Sequence, residues 1–537
     1  MKFISNGKPV HPDRTLLLLV AILTSWLSLS LNIAAKGQAD HVVVVVFDGM
    51  RPDFVTPQYC PNLYSLATNG VFFRNNHCVF VSTTIVNGTA LATGTHPGRS
   101  GILANSDYRQ ELAFTSSIAS ETLDTVRRGD IASVGRYIAV DTAAEMIQDA
   151  GFHTYICGTK GVALLHDRDV RRIDTEAHKN SIVLARGLTL PRAASESMVK
   201  INDDKPFPDD FKTPNIASDG WTTKALVRGL WKKGIPKYSL LWLSDPDVTQ
   251  HAKGVGAPES LTAIEASDKN LGELLKVLDE KKARDKTDIF VVSDHGFSTI
   301  SRGADIAKAL RANQINAHSK LENPERGDVL VVGLGGAALI YVIERDERTI
   351  HQVAEVLQVC DFTGVIFSRL PIEGTFPLDT IRYPTDPANG APDFVISMRW
   401  SHDRNEHGAP GMLIATGGSR NTGTHGSLSR FEMNNTLVAS GPDIKQGLVS
   451  ETPSGNIDVA PTVLHLLGIV PKEKVDGRIL KEAIKSHPDF VPEVKERRLE
   501  ATRQLGFMHW SQYLNLVEVD GTLYFNEGNG RSEFKSP

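Results

Sequence analysis

Six side chains able to ligate a metal stand in four short motifs far apart in this chain. They are Asp48 in Phe47-Asp48-Gly49, Asp247 and His251 in Pro246-Asp247-Val248-Thr249-Gln250-His251, the pair in Asp294-His295-Gly296, and His425 in His425-Gly426. Three carboxylates and three imidazoles form a mixed oxygen and nitrogen set that suits borderline-soft ions such as zinc. There are enough of them for two Zn2+ ions. Two ions about 4 Å apart can hold the attacking and leaving oxygens of an in-line displacement. A hydroxyl candidate, Thr84, lies in Val81-Ser82-Thr83-Thr84-Ile85-Val86-Asn87-Gly88. It precedes a small-residue helix whose positive end favours an anion, a position equally compatible with a Ser/Thr helix cap. Together these residues point to phosphoryl transfer. Singly, each motif has a plainer reading: Asp48 or Asp294 as a strand-end turn residue, Asp247 as a helix cap, His251 or His425 as a solvated histidine.

The elements that must position these groups read as alternating strands and helices. His41-Val42-Val43-Val44-Val45-Val46-Phe47 is almost entirely β-branched, as expected of a parallel strand covered on both faces, and it ends at Asp48. Further strands are expected at 153–157, 238–243 and 288–292, the last running into Asp294. Helices are expected at 61–67, 141–150, 222–232 and 260–279. This alternation implies an α/β sandwich with ligands gathered at the carboxyl ends of its strands. Between Ser298 and Arg420 the units shorten, with strands at 328–332, 338–343, 364–368 and 393–398 and a helix near 350–359. This segment reads as a small α/β cap insertion. The expected order is a leader over 1–39, core over 40–298, cap over 299–420, core again over 421–487 (strand 435–440, helix 456–467), and a tail over 488–537 with no assigned chemistry.

The 537 residues are 41% hydrophobic, which is enough for a large core, and the formal net charge is −5. The first 39 residues are basic, with Lys2, Lys8, Arg14 and Lys36 against Asp13, so the body is more acidic still. That balance argues against a nucleic-acid-binding surface. The apolar stretch from Leu16 to about Ala35, followed by small residues, reads as an export signal near the length of a retained anchor. The expected location is therefore periplasmic or secreted, with membrane contact only if that segment is kept. Cys60, Cys78, Cys157 and Cys360 are too widely spaced for a metal site and are equally compatible with disulfides and buried thiols. The oligomeric state is not legible.

In ordered motifs, the chain from about Asp40 to Leu480 resembles the alkaline phosphatase superfamily, in particular its type I phosphodiesterase, nucleotide pyrophosphatase and phosphonoacetate hydrolase group. The motifs are Asp48-Gly49, a Thr-x-x-Asn element leading to Thr93-Gly94, Asp247-x-x-x-His251, Asp294-His295-Gly296 and His425-Gly426. The resemblance implies a three-layer sandwich with a mostly parallel sheet. It makes Thr84 the nucleophile (Thr83 competes) and a metal ligand, and gives Asn87 a non-bridging phosphoryl oxygen to hold. One ion falls to Asp48, Asp294 and His295, the other to Asp247, His251 and His425, and the reaction passes through a phospho-threonine. Gly158-Thr159-Lys160-Gly161 resembles a lysine-bearing loop, so Lys160 is expected to clamp the substrate or else to stand as a solvated loop lysine. Ile85-Val86 stands where an aromatic and a proline are common in nucleotide pyrophosphatases, so base stacking is not expected. The implied substrate is a phosphorylated or phosphonate small molecule. A phosphodiester or pyrophosphate leads, with C–P bond cleavage or phosphomonoester hydrolysis as the alternative. His402 and His407 either reach the substrate or face solvent.

Overall fold

The computed structural model describes residues 37–168 and 175–534; most of the expected leader, residues 1–36, lies outside the described residues. The core is built on a nine-stranded sheet. Its order from edge to edge is Leu448–Ser450, Val71–Phe73, Leu437–Ser440, Thr287–Val292, His41–Phe47, Tyr238–Leu243, Thr154–Gly158, Ile182–Ala185, Leu188–Leu190. The five strands from Thr287–Val292 to Ile182–Ala185 are mutually parallel, and antiparallel strands flank them. The valine run explains the layering. Val42, Val44 and Val46 pack on one face with Leu91, Ile147, Leu165 and Val463, whereas Val43, Val45 and Phe47 pack on the other with Leu63, Trp231, Leu271 and Leu274. A strand with side chains alternating between two buried faces must be apolar throughout. The result is the expected sandwich of helices on both sides of a mostly parallel sheet.

The expected helices form, with adjusted ends: Pro61–Asn69, Ala143–Asp149, Pro258–Glu280 and Val459–Leu466. The helix expected at 222–232 instead starts earlier, at Ile216, and leaves regular α geometry at Ala225, passing through a π turn and then a 3-10 turn to Lys233. The segment after Ser298 holds a six-stranded sheet that includes Val329–Gly333, Ala337–Val342, Thr363–Ser368 and Phe394–Met398, with helix Glu347–Val359 packed on it.

Residues 494–534 are more than a tail. Val494–Leu505, Met508–Val519 and Thr522–Phe534 make a three-stranded antiparallel sheet. It was hard to see because the outer strand, Val494-Lys495-Glu496-Arg497-Arg498, is charged and exposed. The middle strand does bury alternate residues, with Trp510, Leu514 and Leu516 in the cores around the small sheet. The third strand ties that region to the main core, because Tyr524 Oη donates to Asp458 Oδ2 at 2.7 Å. All four cysteines are free thiols. Among the described residues no helix is long and apolar enough to cross a membrane.

Candidate active site

Three adjacent parallel strands end at one edge of the sheet, and each delivers a carboxylate there. Asp48 follows His41–Phe47, Asp247 opens the helix after Tyr238–Leu243, and Asp294 follows Thr287–Val292. The strand ends are locked together: the Asp247 amide donates to the Asp48 carbonyl at 2.9 Å, and the Gly49 amide donates to Asp294 Oδ1 at 3.0 Å. Gly49 has φ +72°, and a Cβ there would stand 3.1 Å from Asp247 Cα, so only glycine allows this approach. His425 arrives from the far side. The turn of the small sheet rests on its loop, with the Gly336 amide donating to the His425 carbonyl at 2.7 Å. A side chain at Gly335 would strike Thr424 and that same carbonyl.

Every histidine of the set is held in the same way. His251 Nδ1 meets the Gly423 carbonyl at 3.0 Å, His295 Nδ1 the Gly296 carbonyl at 2.9 Å, and His425 Nδ1 the Ser82 carbonyl at 2.8 Å. A carbonyl only accepts, so each Nδ1 carries a proton, and Nε2 is the atom each ring offers as an acceptor when it is neutral. This backbone support is the kind that orients metal-ligating imidazoles. The carboxylates are divided likewise. Asp48 Oδ1, Asp247 Oδ1 and Asp294 Oδ2 are buried without a hydrogen-bond partner, while the other oxygen of each is bonded. The bare atoms converge: Asp247 Oδ1 lies 3.3 Å from His251 Nε2 and 3.4 Å from His425 Nε2, while Asp294 Oδ2 and Asp48 Oδ1 lie 3.2 and 3.7 Å from His295 Nε2.

Two compact groups result, Asp247, His251 and His425, and Asp48, Asp247 and His295. Asp247 stands in both, and Asp294 adjoins the second through His295. Buried polar atoms without partners are costly, so three bare carboxylate oxygens converging with the imidazole Nε2 atoms fit cations well. The electrostatics agree. Burial and the neighbouring Asp294 push Asp48 well above the usual carboxylate range. Burial acts on Asp247 in the same sense, but Lys160 and His251 hold it well below that range. Burial alone would lower His295, yet Asp294 and Asp48 carry it up to about 9. Burial and the charge of His295 push His425 down to about 3. The cluster demands positive charge where the second group converges and keeps His425 neutral.

Thr84 begins the helix Thr84–Thr93 and is 5% exposed, with Oγ1 3.2 Å from His295 Nε2. Its rival, Thr83, is buried with an Oγ1 that makes no hydrogen bond to the six candidate ligands.

Asn87 requires a correction. Its Oδ1 accepts from the Val79 amide at 2.6 Å and from Asn456 Nδ2, while its Nδ2 donates to the carbonyls of Val79, Val81 and Thr83. The side chain is fully buried and spent on the loop before Thr84, which leaves nothing for a phosphoryl oxygen. Asn105 lies beside Thr84 instead: it is half-buried, and its Oδ1 accepts from the Ile85 amide at 2.9 Å, so its NH2 is the group left for other partners. Sequence reasoning missed it because it lies outside the helix-start motif. The only signal was Ser100-Gly101-Ile102-Leu103-Ala104-Asn105, a glycine-bearing loop after a short helix.

Lys160 also departs from expectation. Its Nζ donates to Asp48 Oδ2 at 2.9 Å and to Asp247 Oδ2 at 2.6 Å, so it sits on two of the candidate ligand carboxylates. His402 packs against Trp400 and Phe431, and His407 stands 3.8 Å from Glu406. Neither joins the six ligands.

The geometry agrees with what the chain resembles. A sequence profile of the type I phosphodiesterase / nucleotide pyrophosphatase family matches residues 42–425. The human ectonucleotide pyrophosphatase/phosphodiesterase family member 7 is 23% identical over 460 residues, which cover 83% of this chain and 84% of that protein. Venom phosphodiesterase 2 of Crotalus adamanteus is 24% identical over 289 residues, and this chain spans only 30% of its length. The solved structure of human ectonucleotide pyrophosphatase/phosphodiesterase 5 superposes with a TM-score of 0.58 at 18% identity, covering 83% of this chain and all of that one. An inactive murine form of the same protein, solved in complex with AMP, superposes at 0.56. With the profile matched over most of its length, and with its sheet, helices and strand-end acids arranged as described, this chain belongs to the type I phosphodiesterase / nucleotide pyrophosphatase family.

Proposed function

We propose that the chain is an exported two-metal hydrolase of phosphodiester or pyrophosphate bonds that works through a phospho-threonine at Thr84. The observation that carries this reading is the convergence of bare carboxylate oxygens with imidazole Nε2 atoms, one of which, on His295, lies 3.2 Å from the Thr84 hydroxyl. Asp247, His251 and His425 would hold one Zn2+, and Asp48, Asp294 and His295, with Thr84, the other. Such ions supply Lewis acidity, which stabilises the anionic oxygens of an in-line displacement.

The chain's own residues do the rest. Thr84 is fixed at a helix start, where the helix dipole favours the substrate anion. Its Oγ1 forms the new bond to phosphorus as the bond to the leaving oxygen breaks; water then cleaves the Oγ1–P bond and regenerates the hydroxyl. The NH2 of Asn105 is placed to hold a non-bridging oxygen, a donor role typical of sites that stabilise developing charge. Phe297 packs edge-on to His251 at 4.9 Å and walls the centre from behind. His251, 42% exposed at its side chain, is the ligand at the mouth.

Ile85 favours a second reading, a phosphomonoesterase or phosphonate hydrolase on the same residues. It is buried in the main core and offers no ring to a base. The AMP complex of the murine neighbour supports a nucleotide-type substrate, and the family matched over residues 42–425 favours the diester or pyrophosphate. A panel of a nitrophenyl phosphodiester, a nitrophenyl phosphomonoester, a dinucleotide pyrophosphate and phosphonoacetate separates the two. Preference for the diester or pyrophosphate is expected; preference for the monoester or phosphonoacetate contradicts the leading reading. Export rests on the apolar segment before Lys36 and on relatives named as ectoenzymes and venom enzymes. The six-stranded sheet, whose turn rests on His425, serves in this reading as the cap beside the site.

A further inference from the structure

We infer that Lys160 is a positioning residue of the metal centre: its ammonium, shared between Asp48 and Asp247, makes each a one-oxygen ligand and so biases the centre toward small cations of low coordination number such as zinc. This rests on the two-metal reading above. The side chain reaches over from the loop after Thr154–Gly158, a strand paired with Tyr238–Leu243, and is 17% exposed. One of its three N–H bonds goes to Asp48 Oδ2 and one to Asp247 Oδ2. Trp242 Nε1 adds a second donor to Asp48 Oδ2 at 2.8 Å.

The division of labour within each carboxylate is complete. The oxygens that face imidazoles, Oδ1 in both, have no partner, and the oxygens that face Lys160 are bonded. Once Oδ2 is engaged, neither aspartate can swing to offer both oxygens to one ion. Two-oxygen carboxylate ligation serves large ions of high coordination number, whereas zinc takes about four ligands in tetrahedral array. Asp247 gains most, because it stands in both ligand groups and would otherwise be free to favour either.

Removing the ammonium also removes a positive charge, which shifts the affinity for every divalent cation in the same sense. The ratio of zinc to manganese affinity therefore isolates the geometric role. The experiment titrates chelator-stripped wild-type protein and Lys160→Met, which keeps the apolar stem, with zinc and with manganese, using a competing chromophoric chelator. Lys160→Gln serves if the methionine variant does not fold. The expected result is a fall in the zinc-to-manganese affinity ratio of about tenfold or more in either variant. An unchanged or higher ratio overturns the inference and returns Lys160 to the substrate. A wild-type protein that takes up neither metal overturns the two-metal reading itself, a different outcome.

Discussion

Two clusters of buried polar side chains lie back to back under the loop that ends at Thr84, and they differ in one respect. In the cluster behind the loop, Asn76, Asn87, Asn435 and Asn456 spend their amides on each other and on the backbone of Val79, Val81, Thr83, Ser293 and Asp294. In the cluster in front of it, each of three aspartates has one oxygen bonded and one without a partner, and each of three histidines is held through Nδ1 with Nε2 turned toward those oxygens. Satisfied networks fix a structure, and unsatisfied buried groups in a stable chain need a ligand to account for them. Position along the sequence gives no warning of the difference: Asn87 is three residues from Thr84 and structural, while Asn105, farther along the chain, is the one proposed to hold the substrate.

The comparison breaks most sharply at Thr84. Thr84→Ala should reduce turnover by about 10³-fold or more, with metal content and melting temperature near those of wild type. Activity that persists would move the nucleophile elsewhere. Next in size is a matched pair of variants. Asn105→Ala is expected to lower kcat by about 10²–10³-fold, as for removal of one donor to a developing oxyanion, with little change in stability. Asn87→Ala is expected to do the reverse, costing about 1–3 kcal/mol through its stranded backbone partners while the folded fraction stays active. Chemical denaturation and steady-state kinetics on both variants decide it, and a large kcat loss with unchanged stability in Asn87→Ala would erase the contrast.

A smaller effect concerns pH. In chelated protein the folded state holds His295 up to about 9, above its unfolded value of about 6.5, so it binds more protons than the unfolded chain in between. The stability from that proton is fully present below pH ~6.5 and is lost as pH rises through about 9. The melting temperature of the chelated protein should therefore fall across that window. Zinc-saturated protein, whose ligating imidazoles carry no such proton, should not show the fall.

Much of this was legible in the sequence because burial forces it. A valine run covered on both faces announces a central parallel strand, and an acid at its end must be paired or used; Asp48, Asp247 and Asp294 all follow from that logic. What was not legible depends on contacts across long separations. Asn105 meets Thr84 only through the Ile85 amide, and Lys160 reads as a loop lysine until the Asp48 and Asp247 strands are placed beside it. The last sheet was hidden by charge on its outer strand, since alternation shows only where one face is buried.

The most direct test of the central claim, that the half-bonded cluster is a two-metal centre, is metal content after dialysis against zinc and removal of loosely bound ions. The account predicts two zinc ions per wild-type chain, about one in His425→Ala and about one in His295→Ala, with both variants folded. A wild-type chain holding fewer than one, or variants that keep the wild-type count, would contradict it.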